Sequence, residues 1–124
     1  MLTDKYRSLL DYGRALAITD LAAREEGGKL KMTGMADYQL DKDLFWDKLK
    51  TYSDWQTELA ADIRVKNTDI YGIYTVQKGD SLSKIAKSLF GDPMRYPEIF
   101  NLNRDVVTNP DLIKVGQKLK LPNR

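Results

Sequence analysis

The chain has 124 residues, enough for one ordinary domain or two small ones. Apolar residues make up 42% of it and charged residues 31%, a composition typical of a globular protein. Twenty Lys and Arg stand against 18 Asp and Glu, which gives a formal net charge of +2. Cysteine and histidine are both absent, so disulfides, thiol nucleophiles, imidazole bases and the usual zinc sites are excluded.

The start of the chain lacks the features of an export signal. Met1 is followed closely by Thr3, Asp4 and Lys5, and no basic stretch precedes an apolar one. No later run is apolar enough to cross a bilayer. If Met1 is the natural start, the sequence predicts a cytoplasmic protein without membrane insertion.

The first half of the chain predicts the element order αββαβ. Helical periodicity marks the first and fourth elements, alternation marks the strands, and a Gly27-Gly28 pair between two extended runs predicts a hairpin. The expected elements are a helix over 4–17, strands over 21–26 and 29–36, a helix over 38–52 and a strand over 59–66.

This arrangement resembles a divergent BON domain. The resemblance rests on Gly34 within LKMTGMA and on the closing segment ADIRVKN. Ser53 to Gln56 stand where that family has a glycine turn before the last strand. The resemblance therefore implies a companion scaffold, and the phospholipid association suggested for some relatives is not carried over.

Two tryptophans in this half, Trp46 and Trp55, have two interpretations. They form either an exposed aromatic site or part of a core or interface. We expect packing, because large aromatic side chains dominate cores and interfaces.

The second half begins with an alternating run, Ile73 to Gln77, which predicts a half-buried strand ending at Gly79. Asp80 or Ser81 is expected to cap a helix with one continuous apolar face, and Gly91 to end it. That face consists of Leu82, Ile85, Ala86, Leu89 and Phe90.

Asp92-Pro93 combines a capping residue with a proline at a first helical position, and so predicts a second helix. Tyr96, Ile99 and Phe100 supply its apolar face. Because Pro97 removes one early hydrogen bond, we expect a 3₁₀-like first turn before the regular helix. A long loop and a closing strand complete the order βααβ.

This half resembles a LysM domain over about two fifths of the chain. The matching residues are Tyr74-Thr75-Val76, Lys78-Gly79-Asp80-Ser81-Leu82, Ile85-Ala86, Ile99, Asn103, Leu112-Ile113, Val115-Gly116-Gln117, Leu119 and Leu121-Pro122. The expected fold class is therefore α+β with two small domains: a BON-like αββαβ domain at 1–66, a short linker at 67–72 and a βααβ LysM domain at 73–124.

The LysM resemblance implies a non-catalytic module that binds glycans containing N-acetylglucosamine, as in peptidoglycan or chitin. In that family the ligand lies in a shallow groove between the loop after the first strand and the loop before the last. Carried over to this chain, one wall is Gly79, Asp80, Ser81 and Leu82, and the other is Asn109, Pro110, Asp111, Leu112 and Ile113. Gly79, Asp80 and Ser81 also suit a purely structural role in turning the chain and capping a helix.

The sequence also leaves other functions open. Small cytoplasmic bacterial proteins that join a BON to a LysM domain include potassium-binding, stress-linked members, so K⁺ is an alternative ligand with unknown ligating residues. A third alternative is a docking block for a protein partner. Otherwise no cofactor is expected, and the nine Lys and Arg of 73–124 are too spread out to predict nucleic-acid binding. An enzyme is not expected, since Asp80 and Asp111 are better explained as turn and helix caps than as a glycosidase pair.

Overall fold

The computed structural model describes residues 1–124 and divides into two compact units, Met1–Thr68 and Asp69–Arg124. Both units mix helices with a small sheet, so the α+β class is confirmed. Each unit is described by itself below.

The first unit has the predicted order αββαβ, with its first helix broken into two pieces and with one additional short helix, Trp55–Glu58, that the sequence does not predict. Its elements are α1 (Leu2–Lys5), α2 (Arg7–Ala15), β1 (Thr19–Glu26), β2 (Lys29–Tyr38), α3 (Gln39–Leu49), α4 (Trp55–Glu58) and β3 (Leu59–Asn67). The short α4 occupies the segment that departs from the BON pattern. The BON resemblance itself stays a prediction.

The sheet of this unit has the strand order β1-β2-β3. Strands β1 and β2 pair antiparallel through the turn at Gly27 and Gly28, whose φ values of 62° and 80° explain the glycine pair. Strand β3 lies parallel to β2, with Gly34 opposite Ile63. The hairpin prediction is therefore confirmed.

Helices α2 and α3 bury their apolar faces against one side of this sheet. Leu30 and Met32 point to this side and are almost fully buried, whereas Thr33 is exposed, as the alternation predicts. Trp46 and Trp55 meet edge to face with ring centroids 6.2 Å apart and pack against the core, so their predicted packing role is confirmed. The core cluster is Tyr6, Leu9, Leu10, Ile18, Leu30, Met32, Ala36, Phe45, Leu49, Leu59 and Ile63.

The second unit has the predicted order βααβ. Its elements are β4 (Gly72–Thr75), α5 (Leu82–Phe90), a 3₁₀ turn (Pro93–Arg95), α6 (Tyr96–Leu102) and β5 (Lys118–Leu121). Strands β4 and β5 pair antiparallel, with Tyr74 opposite Leu119. Ile85, Ile99 and Leu119 are buried between the helices and this ribbon.

The helix signals of this unit are confirmed. Ser81 is the N-cap of α5 and accepts a hydrogen bond from the Lys84 amide, and Gly91 ends the helix in the left-handed region at φ 76°. The Asp92 side chain accepts a 2.9 Å bond from the Met94 amide and opens the 3₁₀ turn.

Strand β4 differs from its prediction at both ends. It begins at Gly72, inside the segment predicted as a linker, and ends at Thr75 rather than Gln77. The early end coincides with a turn in the partner segment, where the Gln117 amide donates to the Lys114 carbonyl. Val76 still bonds to Gln117 and Gly116, and the Gln77 amide donates to the Asp80 carboxylate in the turn that follows.

A candidate ligand-binding cleft

The turn between β4 and α5 is held from inside by Asp80. Its Oδ2 atom accepts a 2.6 Å hydrogen bond from the Tyr74 hydroxyl and a 2.7 Å bond from the Gln77 amide. Burial raises the pKa of the Tyr74 phenol to about 12, and the hydrogen bond to Asp80 adds to the rise. The Asp80 carboxylate therefore shapes the loop.

Gly79 has the backbone conformation that this turn requires. Its φ of 86° lies in the left-handed region, and open space surrounds the position where a side chain would begin. Its carbonyl accepts a 3.3 Å hydrogen bond from Lys84 Nζ. Glycine is thus needed for conformation rather than for close packing.

Ser81 and Ser83 form a pair of hydroxyl groups at the start of α5. Their Oγ atoms lie 3.3 Å apart, and Ser81 Oγ also accepts a 3.2 Å bond from the Lys84 amide. Leu82 between them is only 2% exposed, so it belongs mainly to the core. This corner presents hydroxyls over an apolar floor.

The loop before β5 is built on Asn109. Its side-chain oxygen accepts a 2.9 Å bond from the Asp111 amide, and its carbonyl accepts a 2.9 Å bond from the Leu112 amide. Gln117 braces the far end of the loop, since its side chain donates to the Val106 carbonyl and accepts from the Lys114 amide.

The two loops meet at a cleft of about 170 Å³. It is lined by Ser81, Leu82, Ser83, Tyr96, Pro110 and Asp111. Four of the nine predicted residues thus line one cleft, two from each predicted wall. The other five, Gly79, Asp80, Asn109, Leu112 and Ile113, are not among its lining residues.

Sequence reasoning missed two lining residues, Ser83 and Tyr96. Ser83 follows directly after the predicted wall that ends at Leu82. Tyr96 is the first residue of α6 and was placed on that helix's apolar face, but it is only half-buried and borders the cleft. The feature of the sequence that could have indicated Tyr96 is the helix start at Asp92-Pro93, because the 3₁₀ turn that begins there leads directly into α6 at Tyr96.

The first unit carries a larger cavity, of about 530 Å³, on its sheet. None of the predicted site residues lines it. Its lining residues come from all three strands: Ala22, Ala23, Arg24, Lys31, Met32, Thr33, Ala60, Ala61 and Asp62.

The chain lacks two further features that would indicate a function. There is no group of three or more acidic side chains arranged to hold a metal ion. None of the helices is both long enough and apolar enough to span a bilayer.

Comparison with known proteins gives a match over the second unit. Residues 74–122 match the family model of the LysM domain, and they form a LysM domain. LysM domains are binding modules rather than catalytic ones.

Several relatives share part of the chain. An uncharacterized protein of Deinococcus radiodurans is 54% identical over 65 residues, which are 52% of this chain and 24% of that protein. The potassium binding protein Kbp of Escherichia coli is 43% identical over 49 residues, 40% of this chain and 33% of Kbp. The LysM domain-containing GPI-anchored protein 2 of Arabidopsis thaliana is 38% identical over 58 residues, 47% of this chain and 15% of that protein. The aligned part is thus a third or less of each relative.

Proposed function

We propose that the LysM domain formed by residues 74–122 binds glycans containing N-acetylglucosamine, and that the protein acts as a non-catalytic binding protein. The proposed site is the cleft between the loop after β4 and the loop before β5. The observation that carries the proposal is that Ser81 and Leu82 from one predicted wall line the same cleft as Pro110 and Asp111 from the other.

The chemistry of the cleft suits an N-acetyl sugar. Ser81, Ser83 and the Tyr96 hydroxyl offer donors and acceptors, while Leu82, Pro110 and the Tyr96 ring offer an apolar surface for a methyl group or a sugar face. The volume of about 170 Å³ is below the roughly 300 to 1,000 Å³ of pockets that enclose a drug-sized ligand. A cleft of this size suits one unit of a longer chain.

The predicted residues outside the lining have supporting roles in this proposal. Gly79 and Asp80 shape the first loop, and Asn109 shapes the second. Leu112 is 68% exposed and follows Pro110 and Asp111, so it would lie at the rim of the site. Ile113 is half-buried and anchors the same loop.

Amide chemical shifts test the proposal directly. Titration of the full chain with chitotetraose is expected to shift the amides of residues 79–83, 96 and 109–113, and to leave those of β3 in the first unit unchanged. Ser83→Ala should weaken binding, because it removes a cleft hydroxyl. Ser88→Ala, at an exposed position of the same helix, is the matched control. No shifts in these loops at millimolar saccharide would overturn the proposal.

A second candidate function is K⁺ binding, and the observation in its favour is the 43% identity over 49 residues with Kbp. K⁺ is held by rings of oxygen atoms, often backbone carbonyls, which leave no side-chain motif. An ion that binds only the folded protein raises the melting temperature. Melting curves in KCl and NaCl at equal ionic strength test this candidate: a rise with K⁺ alone supports it, and identical curves contradict it.

A further inference from the structure

One carboxylate, that of Asp111, lines the cleft, and no Lys or Arg does so. The Asp111 backbone amide donates to Asn109 Oδ1, but nothing in the chain hydrogen-bonds or ion-pairs with the carboxylate itself. The nearest basic residue of α5, Lys84, directs its ammonium group to the Gly79 carbonyl. The negative charge of Asp111 is therefore uncompensated by any direct partner.

Asp80, the other acidic residue of the two loops, is hydrogen-bonded within the chain. Asp80 accepts two hydrogen bonds from within the chain, from the Tyr74 hydroxyl and the Gln77 amide, and it does not line the cleft. Ligand discrimination by charge thus depends on Asp111 alone among these residues.

The remaining polar groups of the cleft are uncharged. They are the paired hydroxyls of Ser81 and Ser83 and the hydroxyl of Tyr96, which has no partner within the chain. An uncharged acetamido or hydroxyl group can bond to all of these. A ligand carboxylate would find no cation here and would face a second negative charge.

We infer that Asp111 gives the cleft a charge preference: it accepts uncharged N-acetylglucosamine units and disfavours units that carry a carboxylate. This inference rests on the proposed glycan-binding function. It narrows the ligand class to chitin-type chains over chains whose sugars bear an acidic substituent.

The size of the effect follows from Coulomb's law. Two like charges about 5 Å apart in a water-exposed cleft repel enough to weaken binding roughly 5-fold, and more where the ligand displaces water. The repulsion falls as salt shortens the Debye length from about 30 Å at 0.01 M to about 3 Å at 1 M.

Two tetrasaccharides of equal length test the inference by calorimetry with the full chain at one pH. They are chitotetraose and the peptide-free tetrasaccharide that alternates N-acetylglucosamine with the carboxylate-bearing N-acetylmuramic acid. The charge of Asp111 is expected to favour chitotetraose roughly 5-fold in low salt. The readout is the ratio of the two affinities and its dependence on salt, so a general change in affinity cancels.

Asp111→Asn should lower the neutral-to-carboxylate ratio in low salt to the value that the wild type has in high salt, because it removes the charge effect while the bulk of the lactyl group remains. Asp105→Asn removes the same charge from an exposed position that does not line the cleft, and should keep the wild-type ratio. An unchanged ratio in Asp111→Asn, or a wild-type ratio that does not fall in high salt, overturns the inference while leaving glycan binding intact. If the wild-type chain binds neither saccharide, the proposed function fails and the inference fails with it.

Discussion

The Tyr74 hydroxyl donates a 2.6 Å hydrogen bond to Asp80 Oδ2 across the turn that connects β4 to α5. The same oxygen accepts from the Gln77 amide, so one carboxylate joins the strand, the turn and the start of the helix. The sequence predicts Asp80 as a ligand contact, but its carboxylate is hydrogen-bonded within the chain. The two acidic residues of the site therefore differ in role: Asp80 shapes the loop, and Asp111 lines the cleft.

Replacing Tyr74 by phenylalanine should therefore destabilise the second unit. The change removes one hydrogen bond to a charged, partly buried acceptor, and the expected loss in the free energy of unfolding is about 1 to 2 kcal/mol. Both tryptophans lie in the first unit, so unfolding of the second is best followed in urea by the amide resonances of β4.

Tyr96→Phe is the matched control for this prediction. It removes a hydroxyl that has no partner within the chain, and should change stability by less than about 0.5 kcal/mol. Equal losses in the two variants would show that the Tyr74 to Asp80 bond does not stabilise the turn.

The raised pKa of Tyr74, caused first by burial and then by the hydrogen bond to Asp80, predicts a loss of stability at alkaline pH. The folded-state pKa of Tyr74 is about 12, above the ordinary tyrosine value of about 10. Between these two values the unfolded chain has lost the phenolic proton while the folded chain keeps it, so stability falls as pH rises. The stabilisation from Tyr74 is fully present below about pH 10 and is lost as the pH rises through the folded-state pKa of about 12.

Ultraviolet titration of tyrosinate together with melting curves measures this effect. The wild type should lose more stability than Tyr74→Phe over the same alkaline range, because the variant lacks the group that titrates. Parallel curves for the two proteins would contradict the assignment of the raised pKa to Tyr74.

Asn103 is the buried polar residue that joins α6 to β5. Only 2% of it is exposed, its side-chain amide donates to the carbonyls of Ile99 and Lys120, and its side-chain oxygen accepts a 2.7 Å bond from the Lys120 amide. Asn103→Leu keeps a similar volume but leaves these backbone groups without their partner. We expect a loss of about 2 to 4 kcal/mol in the unfolding free energy of the second unit.

Asn101→Leu makes the same chemical change two residues earlier, where the side chain is exposed and hydrogen-bonds with Arg104. Its expected effect in the same urea experiment is below about 0.5 kcal/mol. A loss at Asn103 no larger than at Asn101 would rule out the buried network as a source of stability.

Local signals predicted most of the second unit's fold. The apolar spacing of Leu82, Ile85 and Ala86, between the caps Ser81 and Gly91, predicts α5. This works because helix periodicity and helix caps depend only on residues close together in the sequence. The sequence places the end of β4 two residues too late for the opposite reason. The end depends on a distant segment, because the partner segment turns where the Gln117 amide donates to the Lys114 carbonyl and regular pairing stops there.

The residues that line the cleft are harder to predict from the sequence than the helices. Tyr96 contributes to the cleft from the start of α6. Helical periodicity assigns Tyr96 to an apolar face, but it does not indicate which part of the ring is exposed to solvent. Likewise, Asp80 and Asp111 both read as polar turn residues. Their roles differ because Asp80 accepts hydrogen bonds from the Tyr74 hydroxyl and the Gln77 amide, whereas Asp111 lines the cleft.

Gly13 shows that close packing, rather than backbone freedom, requires a glycine in the helix α2 of the first unit. A Cβ atom placed there would lie 2.7 Å from Leu21 Cδ2 and 2.8 Å from Phe45 Cε1. Leucine methyls can turn aside, but the Phe45 ring is fully buried and has little room to move. Gly13→Ala should therefore destabilise the first unit, although alanine is favoured over glycine by about 1 kcal/mol within a helix.

Overpacking typically costs about 1 to 3 kcal/mol, so after the gain in helix propensity a net loss of up to about 2 kcal/mol is expected, measured by tryptophan fluorescence in urea. Ser8→Ala, at an exposed position of the same helix, should have a neutral or slightly stabilising effect. In a Phe45→Leu background the Gly13→Ala change should cost less than in the wild type, because the ring that it contacts is gone. An equal cost in both backgrounds would place the strain somewhere other than the contact between Gly13 and Phe45.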